Sequence, residues 1–169
     1  MGLFAKLLKH KKPATRVAVV KGNVYSPITG QYIPLEQIPD EVFSQGILGR
    51  GCGIEPEEGL VVAPFNGIIS QVADTKHAVG VTTEDGAEFL IHVGMDTVEM
   101  KGDGFALKVK AGDKVSCGQP LLTFDIAKIR AAGYPATTAF VLTNSDEFPR
   151  LVMESGRRFE KAEKIGQWV

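Results

Sequence analysis

Residues 77–94 read HAVGVTTEDGAEFLIHVG and contain the clearest structural signal in the sequence. The pair Asp85-Gly86 lies between two runs that are apolar or alternate between apolar and polar residues. An Asp-Gly pair in this context is a strong β-hairpin signal, because both residues tolerate the positive φ angles of a tight turn. These residues are therefore predicted to form two antiparallel strands joined at Asp85-Gly86.

The predicted hairpin brings together two histidines, His77 and His92. If the chain turns at the Asp-Gly pair through a loop with an even number of residues, His92 pairs with Val79 and His77 pairs with Gly94. Because the side chains of a strand alternate between its faces, the histidines then share one face as diagonal neighbours. A loop with an odd number of residues would place them on opposite faces.

The surrounding sequence continues the pattern of short strands and turns. From Val17 onward, β-type runs alternate with turn residues, and Asn66-Gly67 is a second hairpin signal. Three short helical segments are predicted, at residues 40–45, 126–132 and 145–153. Regularly spaced short strands are typical of closed β architectures. The predicted fold class is therefore all-β: an antiparallel β-sandwich or barrel with a few short helical turns and a flexible N-terminal tail.

Composition is that of an ordinary globular protein of 169 residues, 44% of them hydrophobic and 8% aromatic. This length predicts one domain, residues 17–169, preceded by a tail, residues 1–16. No apolar run approaches the roughly 18 residues that span a membrane, and the N-terminus lacks the apolar core of a secretory signal. We expect a cytoplasmic protein in which Cys52 and Cys117 stay reduced.

The first sixteen residues form a basic segment with five basic and no acidic side chains. Its apolar residues follow the spacing of one helical stripe, interleaved with lysines, and Pro13 ends the segment. The residues of this predicted membrane tail are Leu3, Phe4, Lys6, Leu7, Leu8 and Lys9. Such a segment is typical of weak, salt-sensitive contact with a membrane surface. A solvated terminus that binds nothing is the alternative, and the pattern alone does not choose between them.

The rest of the chain, residues 17–169, has 14 basic and 20 acidic side chains. This acidic body argues against nucleic-acid binding, which needs a basic surface. It suits a protein partner with a basic docking face.

Two histidines on one face can act as nucleophile, as acid–base pair or as metal ligands. A neutral imidazole attacks through one ring nitrogen, while the other, still protonated, donates to an orienting acceptor. A second histidine nearby can donate to the oxygens of a transferred phosphoryl group and offset their charge. Phosphoryl transfer depends mainly on such positioning and electrostatic stabilisation. The residues alone leave all three roles open.

Four blocks of sequence narrow the choice: APFNG at 63–67, TKHA at 75–78, IHVGMDTV at 91–98 and KGDGF at 101–105. In order and spacing they resemble the glucose-type enzyme IIA of the bacterial sugar phosphotransferase system. The resemblance extends from Val17 to about Met153. Arg50, Asn66 and Ala73 depart from the residues usual in that family.

The resemblance implies a histidine phosphocarrier that needs no cofactor. His92 would accept a phosphoryl group on Nε2 from phospho-HPr and pass it to a cysteine of the IIB domain of a sugar permease. The carbonyl of Gly94 would orient the Nδ1 proton of His92. His77 would hydrogen-bond the phosphate, and Thr75 would support His77.

The resemblance also implies a docking surface for both phosphocarrier partners. Asp40 and Asp96 would lie at its rim and meet arginines of the partners. Its apolar contacts would be Val42, Phe43, Ile47, Leu48 and Val98. A transient interface of this kind has an apolar centre and a charged rim.

In free-standing members of the family, a basic tail of this kind acts as a membrane-associating helix. Some enteric members also regulate sugar permeases and glycerol kinase. There the two histidines, here His77 and His92, hold zinc together with a carboxylate of the partner. By resemblance, zinc binding and a regulatory role are therefore possible properties of this chain.

Two other classes of protein share part of the pattern. A zinc peptidase of similar β architecture has an HxGxD element like the one that begins at His92, but it also needs a later HxH pair, and no histidine follows His92. A biotinyl- or lipoyl-type carrier would be modified on Lys101, within VEMK at 98–101. Such a lysine occupies a tight hairpin tip, and the Gly102-Asp103-Gly104 context differs from that.

Overall fold

The computed structural model describes residues 18–169, so the predicted basic tail, residues 1–16, lies outside the described residues. The described chain forms fourteen short strands: β1 (Asn23–Tyr25), β2 (Gly30–Ile33), β3 (Arg50–Pro56), β4 (Leu60–Val62), β5 (Gly67–Val72), β6 (Ala78–Thr82), β7 (Glu88–His92), β8 (Phe105–Leu107), β9 (Lys114–Val115), β10 (Pro120–Phe124), β11 (Thr138–Leu142), β12 (Val152–Met153), β13 (Arg158–Phe159) and β14 (Lys164–Gln167). It also forms two short helices, α1 (Glu41–Ser44) and α2 (Ile126–Ala131), and three 3-10 turns, at Leu35–Gln37, Thr97–Met100 and Ser145–Glu147.

The strands assemble into three antiparallel sheets. The largest has eight strands in the order β13-β2-β3-β11-β7-β6-β5-β9. Two smaller sheets have the orders β4-β10-β8 and β1-β14-β12. The prediction of an antiparallel all-β fold with few helical turns is confirmed.

Strand β11 lies at the centre of the large sheet and is buried on both faces. Phe140 and Leu142 belong to the main hydrophobic core, whereas Ala139 and Val141 belong to a second cluster with Phe43. The neighbouring strand β7 divides its side chains in the same way, because side chains alternate along a strand. Its residues Phe89 and Ile91 point into the main core, so Leu90 and His92 face the second cluster.

The predicted register of the β6–β7 hairpin is wrong by one residue. His92 pairs with Ala78 instead of Val79. The reason is the loop: Thr83 N–H donates to the carbonyl of Ala87 at 2.9 Å, which leaves three residues between them. Gly86 takes a φ of 94°, as expected for a three-residue loop that ends in a left-handed residue. Strand register therefore does not place the two histidines on one face, contrary to the prediction.

The Asn66-Gly67 pair forms a turn but not the predicted hairpin. The strand before it, β4, pairs with β10, and the strand after it, β5, pairs with β6 and β9. The turn therefore passes the chain from one sheet to another. The Oδ1 of Asn66 accepts from the backbone N–H of Cys117 at 2.8 Å and fixes the turn against a distant loop.

Two of the three predicted helices are confirmed, each with an aspartate at its N-cap. Asp40 accepts from the N–H of Val42, and Asp125 accepts from the N–H of Lys128. The third prediction, at 145–153, is wrong beyond one 3-10 turn, because Pro149 disfavours a helical conformation in the preceding residue. Among residues 18–169, neither helix reaches the length and apolarity that crossing a bilayer requires.

Candidate active site

His92 is the last residue of β7, between two alanines on the adjacent strands. Ala78 of β6 and Ala139 of β11 are its directly opposite partners. Directly paired residues have Cβ atoms about 5 Å apart, so larger side chains at these positions would crowd the imidazole. On the second cluster's face, the ring of Phe43 lies 5.0 Å from the ring of His92. The imidazole is half-buried in this setting.

The turn that follows β7 holds one nitrogen of His92. Nδ1 lies 2.9 Å from the carbonyl oxygen of Gly94 and can only donate to it, so Nδ1 carries a proton and neutral His92 has its lone pair on Nε2. Gly94 has a φ of 75°, and a Cβ there would collide with the side chain of Thr97. The Thr97 hydroxyl, which is buried, donates to the carbonyl of Val93 at 2.6 Å. The close packing at Gly94 and the hydrogen bond to Val93 constrain the turn that contains the Gly94 carbonyl.

His77 lies in the loop between β5 and β6, immediately before β6 begins. Its ring centroid is 4.7 Å from that of His92, and the planes cross at 84°. It is only 6% exposed, and its Nδ1 lies 2.7 Å from Oγ1 of Thr75. The loop therefore brings together the pair of histidines that strand register alone would separate.

Both histidines favour the neutral state. Burial is the main cause that lowers the pKa of His92 to about 4, and the nearby His77 is the second cause. The hydrogen bond to Gly94 and the charge of Asp40 act in the opposite direction. Burial also lowers the pKa of His77, against the opposite effect of a hydrogen bond to the backbone of Thr75. Near neutral pH, His92 is therefore a neutral imidazole with its proton on Nδ1 and its lone pair on Nε2, as a nucleophile requires.

The residues predicted for the docking surface divide into two groups. Val42, Ile47 and Val98 are exposed by 43%, 67% and 49%. Phe43 is 4% exposed and its ring packs against that of His92, and its role as an apolar contact of the docking surface stays a prediction. Its position follows from α1, which turns Phe43 inward and Val42 outward. Leu48 is half-buried and packs against the same cluster.

The two predicted acidic rim residues occupy turns near His92. Asp40 is the N-cap of α1, and its carboxylate accepts from the N–H of Val42 at 2.9 Å. Asp96 is exposed and has a φ of 60°, two residues after Gly94. These carboxylates give the surroundings of the two histidines a negative charge.

In the part of the chain that the structure describes, the site offers too few ligands to hold a catalytic metal ion by itself. Across residues 18–169, no three side chains of histidine, cysteine, aspartate or glutamate are grouped to hold a metal ion. With both Nδ1 atoms engaged, His77 and His92 can offer two Nε2 ligands, whereas a catalytic zinc site uses three protein ligands. The zinc-peptidase alternative lacks that third ligand among the described residues, and a zinc ion here would need a donor from another molecule.

Lys101 is not at the tip of a hairpin. It follows the 3-10 turn Thr97–Met100 with a φ of 54°, and the next strand, β8, pairs with β10. A carrier lysine needs a tip between two strands that pair with each other, so the position of Lys101 does not favour the biotinyl or lipoyl alternative.

Several residues of the site have no signal of their own in the sequence. The alanines that flank His92 look like ordinary strand residues, and the ring of Phe105, 6.4 Å from His77, comes from a strand of another sheet. Thr97 lies within a block quoted for its resemblance, but its hydrogen bond to Val93 depends on the turn geometry. Only the correct strand pairing would have identified the alanines.

The fold and the paired histidines are similar to those of a class of β-sandwich proteins that take part in sugar phosphotransfer. A solved structure, glucose permease IIA from Mycoplasma capricolum, matches with a TM-score of 0.81 and 30% identity, covering 85% of this chain and 93% of that one. The model of the family "phosphoenolpyruvate-dependent sugar phosphotransferase system, EIIA 1" matches residues 22–148. The chain therefore belongs to this EIIA family.

Sequence relatives include both short and long proteins. The glucose-specific EIIA component of Staphylococcus epidermidis is 41% identical over 141 residues, covering 83% of this chain and 85% of that protein. That of Halalkalibacterium halodurans is 43% identical over 147 residues, 86% of this chain and 85% of the relative. The beta-glucoside-specific EIIBCA component of Bacillus subtilis is 47% identical over 125 residues, which are 74% of this chain but 20% of that protein.

Proposed function

We propose that this protein is a phosphocarrier that receives a phosphoryl group from phospho-HPr on Nε2 of His92 and passes it to a cysteine of an EIIB domain of a sugar permease. The observation that supports this most directly is the contact between His92 Nδ1 and the Gly94 carbonyl, at 2.9 Å. It leaves the lone pair of neutral His92 on Nε2, beside a second histidine.

In the first step, Nε2 of His92 attacks the phosphorus of phospho-HPr. A new N–P bond forms as the N–P bond of the donor breaks, and the donor imidazole leaves with that electron pair. In the second step, a thiolate of the EIIB domain attacks the same phosphorus, forming an S–P bond and breaking the bond to Nε2. His92 thereby returns to its neutral state.

His77 and Thr75 would stabilise the charge of the transferred group. If the Thr75 hydroxyl donates to Nδ1 of His77, which lies 2.7 Å away, the proton of neutral His77 is on Nε2. From there it can donate to a phosphoryl oxygen held on His92. A donor placed before the reaction stabilises developing charge without reorganisation.

HPr and the EIIB domain would bind in turn to one surface around His92. Val42, Ile47 and Val98 supply its exposed apolar area, and Asp40 and Asp96 supply carboxylates for basic partner residues. EIIA regions joined to EIIB and EIIC within one relative support the permease partner. Weak membrane contact through the tail, a cytoplasmic location, zinc held with a partner's carboxylate and regulation of permeases or kinases remain part of this proposal.

The test is incubation with phosphoenolpyruvate, enzyme I and HPr, followed by intact-mass measurement. Wild type should gain one acid-labile phosphate, and His92→Ala should gain none. His77→Ala should still be phosphorylated but transfer more slowly to EIIB, because the charge-stabilising donor is lost. His10→Ala, which removes the remaining histidine, is the matched control and should behave as wild type. Phosphate on the His92→Ala variant would refute the proposal.

A further inference from the structure

The loop that presents His77 contains a lysine in a conformation that lysine rarely adopts. Ala73 and Ala78 close this loop, with Ala73 N–H donating to the carbonyl of Ala78 at 2.9 Å. Lys76 N–H donates back to the carbonyl of Ala73 at 2.9 Å, and Lys76 itself has a φ of 64°. This left-handed region is uncommon for residues other than glycine, and strained residues of this kind concentrate at functional sites.

Strand register alone would direct His77 away from His92. Ala78 pairs with His92, so both lie on the face of the second cluster, whereas Val79 points into the main core on the other face. Continued alternation would place the side chain of His77 on the side of Val79. The pairing itself extends to this residue, since Val93 N–H donates to the His77 carbonyl at 2.8 Å. The ring nevertheless lies 4.7 Å from that of His92.

We propose that Lys76 is a positioning residue whose left-handed backbone turns His77 toward His92, and that its ammonium group is not needed for this. The chain changes direction at the residue between Thr75 and His77. The hydrogen bond that joins these two side chains therefore spans Lys76, with 2.7 Å between Oγ1 and Nδ1.

The side chain of Lys76 lies outside the pair of histidines. It is exposed, and a Cβ built on Gly102 would lie 3.8 Å from its Cδ. Its stem therefore lies along the neighbouring turn on the surface. This leaves the backbone conformation of Lys76 as the feature that acts on His77.

The pair Lys76→Asn and Lys76→Val separates backbone from charge, because both variants remove the ammonium group. Asparagine tolerates the left-handed region, whereas a β-branched valine there is a severe outlier. The expected result is that Lys76→Val loses the nuclear Overhauser contact between the rings of His77 and His92, while Lys76→Asn retains it. A matched control is Ala162→Val, which introduces the same strain at a φ of 64° in the turn between β13 and β14 and should leave the ring contact unchanged.

The consequence for transfer rests on the proposed function, whereas the ring contact does not. Lys76→Val should slow onward transfer to EIIB by about tenfold or more, and Lys76→Asn should stay within about threefold of wild type. Loss of the ring contact in both variants would assign the role to the charge and overturn the inference, as would its retention in both. If wild type were not phosphorylated but the valine variant alone lost the contact, the proposed function would fail and the positioning role would stand.

Discussion

At His92, burial and hydrogen bonding act on one ring in opposite directions. Burial and the neighbouring His77 lower the pKa, whereas the Gly94 carbonyl raises it, and the resulting pKa is about 4. The hydrogen bond selects the tautomer, and burial keeps the ring neutral. These two effects together provide an unprotonated Nε2 near neutral pH.

This pKa predicts how stability depends on pH. Because folding lowers the pKa of His92, the folded state binds fewer protons than the unfolded state between about pH 4 and about pH 6.5. The contribution of neutral His92 to stability is complete above about pH 6.5 and is lost as the pH falls through about 4. Urea unfolding at several pH values should show wild type losing more stability on acidification than His92→Gln, which has no titrating group. Equal losses in both proteins would contradict the lowered pKa.

His77 affects the titration of its neighbour His92. Since His77 contributes to the low pKa of His92, His77→Ala should raise that pKa, while burial still holds it below its usual value. Histidine NMR titration measures this directly. An unchanged His92 midpoint in the variant would mean that the two rings do not interact electrostatically.

At the scale of elements, the geometry of the site depends on two hairpin loops and on the turn that follows β7. The β6–β7 loop places Ala78 beside His92, the β5–β6 loop presents His77, and the turn after β7 presents the Gly94 carbonyl. Each of these segments contains a residue with positive φ. The geometry of the site is therefore built from backbone conformation at loops, on a rigid central sheet.

The turn after β7 predicts an effect of Thr97→Val. The substitution preserves shape but leaves the buried carbonyl of Val93 without its 2.6 Å hydrogen bond. We expect a loss of about 1–3 kcal/mol in unfolding free energy, the usual cost of an unsatisfied buried polar group. Thr97→Ser keeps the hydroxyl and should lose less of this free energy in a urea titration. Equal stability of wild type and Thr97→Val would contradict the assigned hydrogen bond.

The three-residue loop between β6 and β7 predicts an effect of Gly86→Ala. Gly86 has a φ of 94°, and a Cβ there would meet no atom within 4 Å, so only backbone strain is added. A loss of about 1–2 kcal/mol in urea-unfolding free energy is expected, and Gly86→Asn should lose less because asparagine tolerates this region. A neutral alanine substitution would argue against the left-handed loop.

At the scale of the whole molecule, ion pairs join the segment around β13 to the turn after β3, about a hundred positions earlier in the chain. Arg158 lies 2.8 Å from Glu57 in the turn after β3, and Lys161 lies 2.5 Å from Glu58. These side chains are 38–47% exposed, and exposed pairs contribute little and are screened by salt. They lie beside the backbone pairing of β13 with β2, which places β13 at the edge of the large sheet.

Arg158→Gln should therefore lower the unfolding free energy only slightly in low salt. The difference from wild type should disappear near 1 M salt, where the screening length is about 3 Å. Urea titrations of wild type and the variant, in low salt and near 1 M salt, measure this difference. A large loss that persists in high salt would mean that packing of the arginine stem, rather than its charge, holds β13.

The sequence was sufficient for the fold class because apolar alternation and turn residues recur along the whole chain. It was insufficient for register, because an Asp-Gly pair fits loops of two and of three residues, and Gly86 takes positive φ in either case. The left-handed conformation of Lys76 was not predictable, since lysine has no preference for it. The burial of Phe43 depends on contacts with Ala139 and Val141 from a strand about a hundred positions away. The pattern of apolar and polar residues around Phe43 contains no information on contacts with such distant residues.

The proposed function depends most directly on phosphorylation of His92 at Nε2. The most direct measurement is NMR of the ¹⁵N-labelled protein after phosphorylation by phosphoenolpyruvate, enzyme I and HPr. We expect one histidine to acquire nitrogen–phosphorus coupling. The coupled nitrogen should be Nε2 of His92, with Nδ1 still protonated. Phosphorus bonded to His77, to Nδ1 of His92 or to a residue other than histidine would contradict this proposal.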